Sequence, residues 1–303
     1  MPNFCSNCGK PCQSHWNVCP YCGKTFYQQV TTPTDYRPST TSMVVKPPEV
    51  QFDTLKKKRP WFTKKKIAVI IILSSIVLAG VLTPIIYLFT NYKIRNINYY
   101  VSYGNISKSY NCMIPRETYN YYDNLIHPSH GSNDWDVVAS VIASFCTPEE
   151  PEILKIAQEV KSQCTNQNDE EEVVNALLSF TQGIDYKSDL IDRAQYPLET
   201  LINKGDCEDL SIFFGSLVES LGYEAVIICV LIFDGEWVGH AVVGIDLDFT
   251  PTHHASYPPS YYLDAAEDDN QYWVCETTAQ GWMVGELPVD SSDFLIQSYA
   301  FIE

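Results

Sequence analysis

The chain has 303 residues, 45% of them hydrophobic and 19% charged, and a net charge of −17. That composition excludes wholesale disorder and leaves room for one or two domains. The charge is unevenly divided: residues 1–66 carry +8, residues 67–90 carry no charged side chain, and residues 91–303 carry −25. So acidic a C-terminal part excludes nucleic acid as its partner, because phosphate binding needs local positive charge.

Residues 1–26 hold two Cys-x2-Cys pairs, Cys5/Cys8 and Cys19/Cys22, with ten residues between the pairs. Gly9 and Gly23 directly follow the second sulfur of each pair. Four thiolates so spaced can surround one Zn²⁺ tetrahedrally, each pair forming a tight knuckle. The arms FCSNCGK and VCPYCGK are alike, and the segment resembles the short zinc ribbons of microbial proteins. Cys12 and His15, between the pairs, read as spare side chains. A segment this small needs the structural Zn²⁺ in order to fold, and reduced thiols suit the cytoplasm. Its role is structural or the recruitment of a cytoplasmic protein.

Residues 27–66 are rich in Thr, Ser and Pro and end in a basic cluster; they read as a flexible linker. Ile67 to Phe89 then runs 23 residues without a charge. As a helix it covers roughly 34 Å, enough for a bilayer core of ~30 Å. It is predicted to be a single membrane span. Lys56, Lys57, Lys58, Arg59, Lys64, Lys65 and Lys66 crowd its N-terminal side, whereas Lys93 and Arg95 follow it. The positive-inside rule therefore puts the N-terminus in the cytoplasm and the C-terminal part outside the cell. The basic cluster is also suited to contact with anionic lipid. The sequon Asn105-Ile106-Ser107 falls on the outer side.

Residues 90–118 alternate as a strand or extended stalk, and 119–303 are predicted to form an α+β domain. Helical periods run from Trp135 to Phe145, Pro151 to Val160 and Asp169 to Thr181. After Lys204-Gly205-Asp206-Cys207-Glu208-Asp209, the apolar positions Leu210, Phe213, Phe214, Leu217, Val218 and Leu221 keep helical period until Gly222. Strands are expected over Glu224–Phe233, Gly239–Ile245 and Tyr272–Thr278, with Tyr261–Asp264 pairing to the last of these.

Cys207 thus opens a helix, where the dipole favours a thiolate, although the acids beside it pull the other way. His240 begins a strand, and Glu276 sits on a later one. A helix-terminal cysteine facing a strand histidine, with a carboxylate to orient the ring, is an arrangement for acyl transfer. The thiolate attacks a carbonyl, His240 returns the proton to the leaving group, and the Cys207 N–H is an oxyanion donor.

GDCEDLSIFFGSLVESLGYEA (205–225), GHAVVGI (239–245) and YWVCETTAQGWMVGELP (272–288) resemble the transglutaminase-like superfamily, over roughly residues 120–290. The resemblance implies a papain-like α+β fold, helices packed on an antiparallel sheet, and catalytic residues Cys207, His240 and Glu276. The family's third member is usually Asp; Glu276 is one methylene longer. GDCED also resembles bacterial transglutaminase-like cysteine proteinases, some of which hold Ca²⁺ through acids placed as Asp206 and Glu208 are; helix N-terminal acids have an ordinary dipole explanation as well. The resemblance implies a protease or acyltransferase acting on peptide or isopeptide bonds of a polypeptide substrate. A non-catalytic binding or scaffold module on the same fold is the alternative.

The remaining histidines, His127, His130, His253 and His254, read as surface loop residues. Trp273 and Trp282 read as packing of the site wall. The polar stretch Asp246–Ser260 reads as an insertion that covers the site. Cys229 and Cys275 read as buried thiols, and one disulfide is expected among Cys112, Cys146 and Cys164.

Overall fold

The computed structural model describes residues 3–4, 11–12, 80–81, 83, 86–87 and 90–302, apart from 129–131, 189–192, 234, 253–260, 266–269 and 290. The chain divides into two compact units, 1–61 and 62–303. In the first, β1 (Asn3–Phe4) pairs antiparallel with β2 (Pro11–Cys12). The ligand positions Cys5, Cys8, Cys19 and Cys22 lie outside the described residues, as does most of the span expected over 67–89. Among the described residues, no helix is long and apolar enough to cross a membrane.

The second unit is α+β. The stalk expected over 90–118 is instead part of the folded domain: β3 (Tyr92–Val101) and β4 (Ile106–Pro115) form a hairpin with ten paired positions. Alternate residues of β3, Ile97, Tyr99 and Val101, are buried, as are Cys112 and Ile114 of β4. That period-2 burial is the alternation visible in the sequence, now with an inner face that has found a core. Six helices follow: α1 (Arg116–Asp123), α2 (Trp135–Ala143), α3 (Pro151–Ser162), α4 (Glu170–Gln182), α5 (Pro197–Asn203) and α6 (Cys207–Glu219). The Asp134, Glu150 and Asp169 side chains cap α2, α3 and α4 by accepting first-turn N–H groups, and Pro151 stands in the first turn of α3, where its missing N–H costs nothing.

The main sheet has strands β5 (Ala225–Phe233), β6 (Trp237–Asp246), β7 (Tyr262–Asp264), β8 (Gln271–Cys275) and β9 (Phe294–Phe301). Their order is β7-β8-β6-β5-β9, every neighbour antiparallel. The predicted partner of β8 is indeed β7, whereas α1, α5 and β9 went unassigned in the sequence. One face of the sheet joins the core under the helices through Ile227, Cys229, Val243 and Ile245. The other face, with Val226, Ile228, Val242 and Val274, is covered by Leu287 and its neighbours. Burial on both faces explains why β5 reads as one continuous apolar run rather than an alternation.

Helix α6 is buried along most of its length and packs on β5 and β6 and against α4 and α5. Phe213, at its centre, is fully buried, and its ring stacks on Phe180 of α4 at 6.2 Å. Phe213→Ala is expected to lower the unfolding free energy by about 3–5 kcal/mol, since the close-packed site cannot collapse around the void. Chemical denaturation checks this; a loss below about 1 kcal/mol would mean that the core repacks there.

The six cysteines of this unit are all reduced, five of them buried. The disulfide expected among Cys112, Cys146 and Cys164 does not form. Each thiol sits in the core, and those of Cys146 and Cys164 donate to the backbone carbonyls of Ile212 and Val160.

Candidate active site

Two features of the chain place the cysteine. The first is Gly205: a Cβ there would lie 2.3 Å from the Cβ of Asp209, so only glycine lets the incoming chain approach α6. The second is Asp209, whose buried carboxylate accepts the Gln195 N–H and side-chain amide (both 2.6 Å) and the Asp206 N–H (3.4 Å). These bonds tie the helix start to the preceding loop and leave Cys207 as the first residue of α6, partly exposed.

His240 lies on β6, opposite Val230 of β5. Its Nε2 is 3.0 Å from Oε2 of Glu276, one residue past the end of β8. The extra methylene of Glu276 therefore does not prevent the bond. Oε1 of Glu276 accepts the Thr278 N–H (2.7 Å) and the Thr278 hydroxyl (2.5 Å), so both carboxylate oxygens are held. Burial pushes the Glu276 carboxyl up, but the His240 ring and the Thr278 donors outweigh it and keep it below the ordinary carboxylate value. An ionised Glu276 accepts a hydrogen bond from Nε2–H, which leaves Nδ1 as the bare ring nitrogen of the neutral imidazole.

Cys207 and His240 line one cavity of about 220 Å³. Its other walls come from Trp135, Val138 and Ile142 of α2, from Cys229 on β5, and from Glu208. The Cys207 thiol donates to Oε2 of Glu208 at 3.4 Å. Burial first, then the charges of Glu208 and Asp206, push this thiol well above its ordinary value, with the Ala241 backbone acting the other way. Glu208 is itself pushed up to about 9, by burial and by Asp206 beside it. Cys207 therefore rests as a protonated thiol. Among the described residues, no three His, Cys, Asp or Glu side chains are grouped to hold a metal ion.

Glu208 and Trp135 were not singled out from the sequence as parts of this cavity. The signal for Glu208 was its place beside the cysteine; for Trp135 there was none, because α2 is about seventy residues away in the chain. His127, expected at the surface, has a side chain only 4% exposed, with Nε2 2.7 Å from Glu199 and its ring against Phe145 and Tyr196. It anchors the segment that leads to α2. His130, His253 and His254 lie outside the described residues. Of the expected covering insertion, the described start docks on α4, where Thr252 donates to Glu171. Trp273 is buried, and Trp282 lines a different cavity.

Three carboxyls, those of buried Glu208 and Asp209 and of partly buried Glu219, shape the stability profile. Glu208 is raised to about 9, and Asp209 and Glu219 to about 7, in each case chiefly by burial. Over the interval between the ordinary and the folded value, the folded state holds more protons than the unfolded chain. Stability is then greatest near the unfolded values and falls as pH rises. The melting temperature is expected to decline from pH 5 to pH 9, with the −25 of residues 91–303 acting in the same direction. A flat or rising melting curve over that range would contradict the assignment.

No family model matches the chain, and no curated protein matches it. Among solved structures it is similar to LapG of Legionella pneumophila, at 12% identity over 47% of this chain and 79% of that one, with a TM-score of 0.28. An EGTA-treated form of LapG gives 17% identity over 53% and 69%, with a TM-score of 0.26. A “putative cysteine protease” from Cytophaga hutchinsonii gives 11% identity over 69% and 73%, with a TM-score of 0.34.

Proposed function

We propose that residues 90–303 form a papain-like, transglutaminase-like cysteine hydrolase or acyltransferase that cleaves or exchanges peptide or isopeptide bonds. The observation that carries this is the joint placement of Cys207, at the first turn of a buried helix, and of His240, held by Glu276 at 3.0 Å, on the walls of one cavity. Because the thiol rests protonated, the reaction begins with proton transfer. As Sγ attacks the substrate carbonyl, Nδ1 of His240 takes the thiol proton, and Glu276 stabilises the imidazolium at Nε2. The Cys207 N–H, at the helix N-terminus, donates to the oxyanion. His240 then gives its proton to the leaving amine. Water, or a second amine, attacks the thioester and releases Cys207. Hydrolysis is favoured over cross-linking, in line with the protease-like resemblance of GDCED.

In the same proposal the apolar run 67–89 anchors the enzyme in the cell membrane. Its zinc-binding N-terminus is cytoplasmic and its catalytic part is outside, facing polypeptide substrates. The thiol's bond to Glu208 supports the second reading, a non-catalytic binding module, because it directs the sulfur toward a carboxyl group rather than toward the imidazole. A peptide-mimicking acyloxymethyl ketone separates the two. It is expected to label the full chain at one residue, Cys207, and to leave Cys207→Ala unlabelled. No labelling of the folded wild type, or equal labelling of both, would retire the enzyme.

A further inference from the structure

A second cavity, of about 450 Å³, lies between the β3–β4 hairpin, helix α4 and the loop that follows Glu276. None of its lining residues carries a charge among the described residues, although residues 91–303 together hold −25. What lines it are aromatic rings and amides: Tyr100 on β3, Tyr103 and Asn105 in the hairpin turn, Asn98 beside them, and Gln280 and Trp282 across the opening.

The walls are preformed. Tyr103 is held at φ +52°, a left-handed conformation that a bulky residue rarely adopts, and its hydroxyl donates to Asp169 at 2.7 Å. The opposite wall is fixed by Gln182, 4% exposed, whose amide donates to the carbonyls of Glu276 (2.8 Å) and Trp282 (3.0 Å) and accepts the Gly281 N–H (3.1 Å). Tyr100, by contrast, is half exposed and leaves its ring available.

The chemistry of this lining narrows the occupant. Among the lining residues an anion would find no cation and a cation no carboxylate, the Asp169 carboxylate being engaged behind Tyr103 by its hydroxyl. Lipid chains would find Met283 and Ala176 but no Leu, Ile, Val or Phe. A peptide could not add as a strand at Tyr100, whose N–H is already taken by the Ser179 hydroxyl at 2.9 Å. Aromatic faces beside amide donors and acceptors, without charge, suit a ring that is apolar on its faces and hydroxylated at its edge. We propose that this cavity binds a neutral glycan. The site is independent of whether Cys207 is a nucleophile. If both readings hold, it tethers the enzyme to glycan-bearing surfaces, with the loop after Glu276 shared between the two sites.

The test uses the full chain, made without N-glycosylation so that Asn105 is bare, in nanodiscs free of glycoside detergent. Cellotetraose and chitotetraose are the neutral probes; tetragalacturonate and a neutral Ser/Asn/Gly pentapeptide are the comparators. Binding is read by tryptophan fluorescence and by hydrogen-exchange protection of 98–105 and 279–283. At least one neutral tetrasaccharide is expected to protect both segments. Trp282→Ala and Tyr100→Ala are each expected to weaken it by about 5–10-fold. Tyr100→Phe, which keeps the ring, and Cys207→Ala are expected to bind as wild type does. The proposal is overturned if neither neutral sugar protects the segments, if both alanine variants bind unchanged, or if tetragalacturonate or the pentapeptide binds as well or better.

Discussion

Cys207→Ala is expected to lower turnover of a cleavable peptide by on the order of 10⁴-fold or more, while the chain stays folded. The side chain projects from the first turn of α6, is partly exposed, and makes one side-chain hydrogen bond, to Glu208. Removing it forfeits little packing but takes away the sulfur that, in the proposed reaction, forms the acyl bond. His240→Ala is expected to cost a similar factor, because the resting thiol is protonated and in the proposed reaction His240 is the group that takes its proton. The two losses are not additive: with the nucleophile gone, the base has nothing to activate, so the double variant is expected to be no slower than the worse single one. Single-turnover kinetics on a quenched-fluorescent peptide library, with circular dichroism as the check on folding, reads all three. Wild-type turnover in Cys207→Ala, or multiplying losses in the double variant, would assign the cavity a different chemistry.

Glu276→Gln is expected to lower kcat by about 10²–10⁴-fold with little change in KM, which is a larger loss than an isosteric change suggests. Thr278 supplies the reason. Its N–H and hydroxyl both donate to Oε1 of Glu276, so the amide of a glutamine must turn its carbonyl toward Thr278 and its NH₂ toward His240. The ring then has to accept at Nε2 and carry its proton on Nδ1, the wrong tautomer for taking a proton from sulfur. Glu276→Asp keeps the charge but retracts it by a methylene from the 3.0 Å bond. It is expected to fall between wild type and the glutamine variant. The discriminating readout is the pH profile: if only the fold depended on Glu276, kcat and KM would move together and the profile would keep its shape.

Much of the domain was legible because it is local. The helical periods from Trp135, Pro151 and Asp169 correspond to α2, α3 and α4 within one to two residues at most ends. Gly222, expected to end the Cys207 helix, stands just past it at φ +86°. The position of Cys207 at a helix start and of His240 in a strand was likewise readable, since each depends on a few flanking residues. The role of Gly205 was only half visible. A turn before the helix was expected, but the requirement for glycine comes from the Asp209 side chain, a packing contact.

By itself, then, the sequence determined the charge division, the Cys-x2-Cys spacing, the order of helices and strands, and which side chains could do acyl-transfer chemistry. These follow from composition, periodicity and capping, which act over a few residues. Only the tertiary structure decided that 92–115 is a core hairpin rather than a stalk, that His127 is buried on Glu199, and that Glu276 reaches His240 despite its extra methylene. It alone placed Trp135 and Glu208 around Cys207, and assembled an uncharged cavity from β3, α4 and the loop after β8 in so acidic a domain. Alternation in a strand tells which face is apolar but not what covers it. Burial, partners and cavities come from segments tens to nearly two hundred residues apart, and those meet only when the chain is packed.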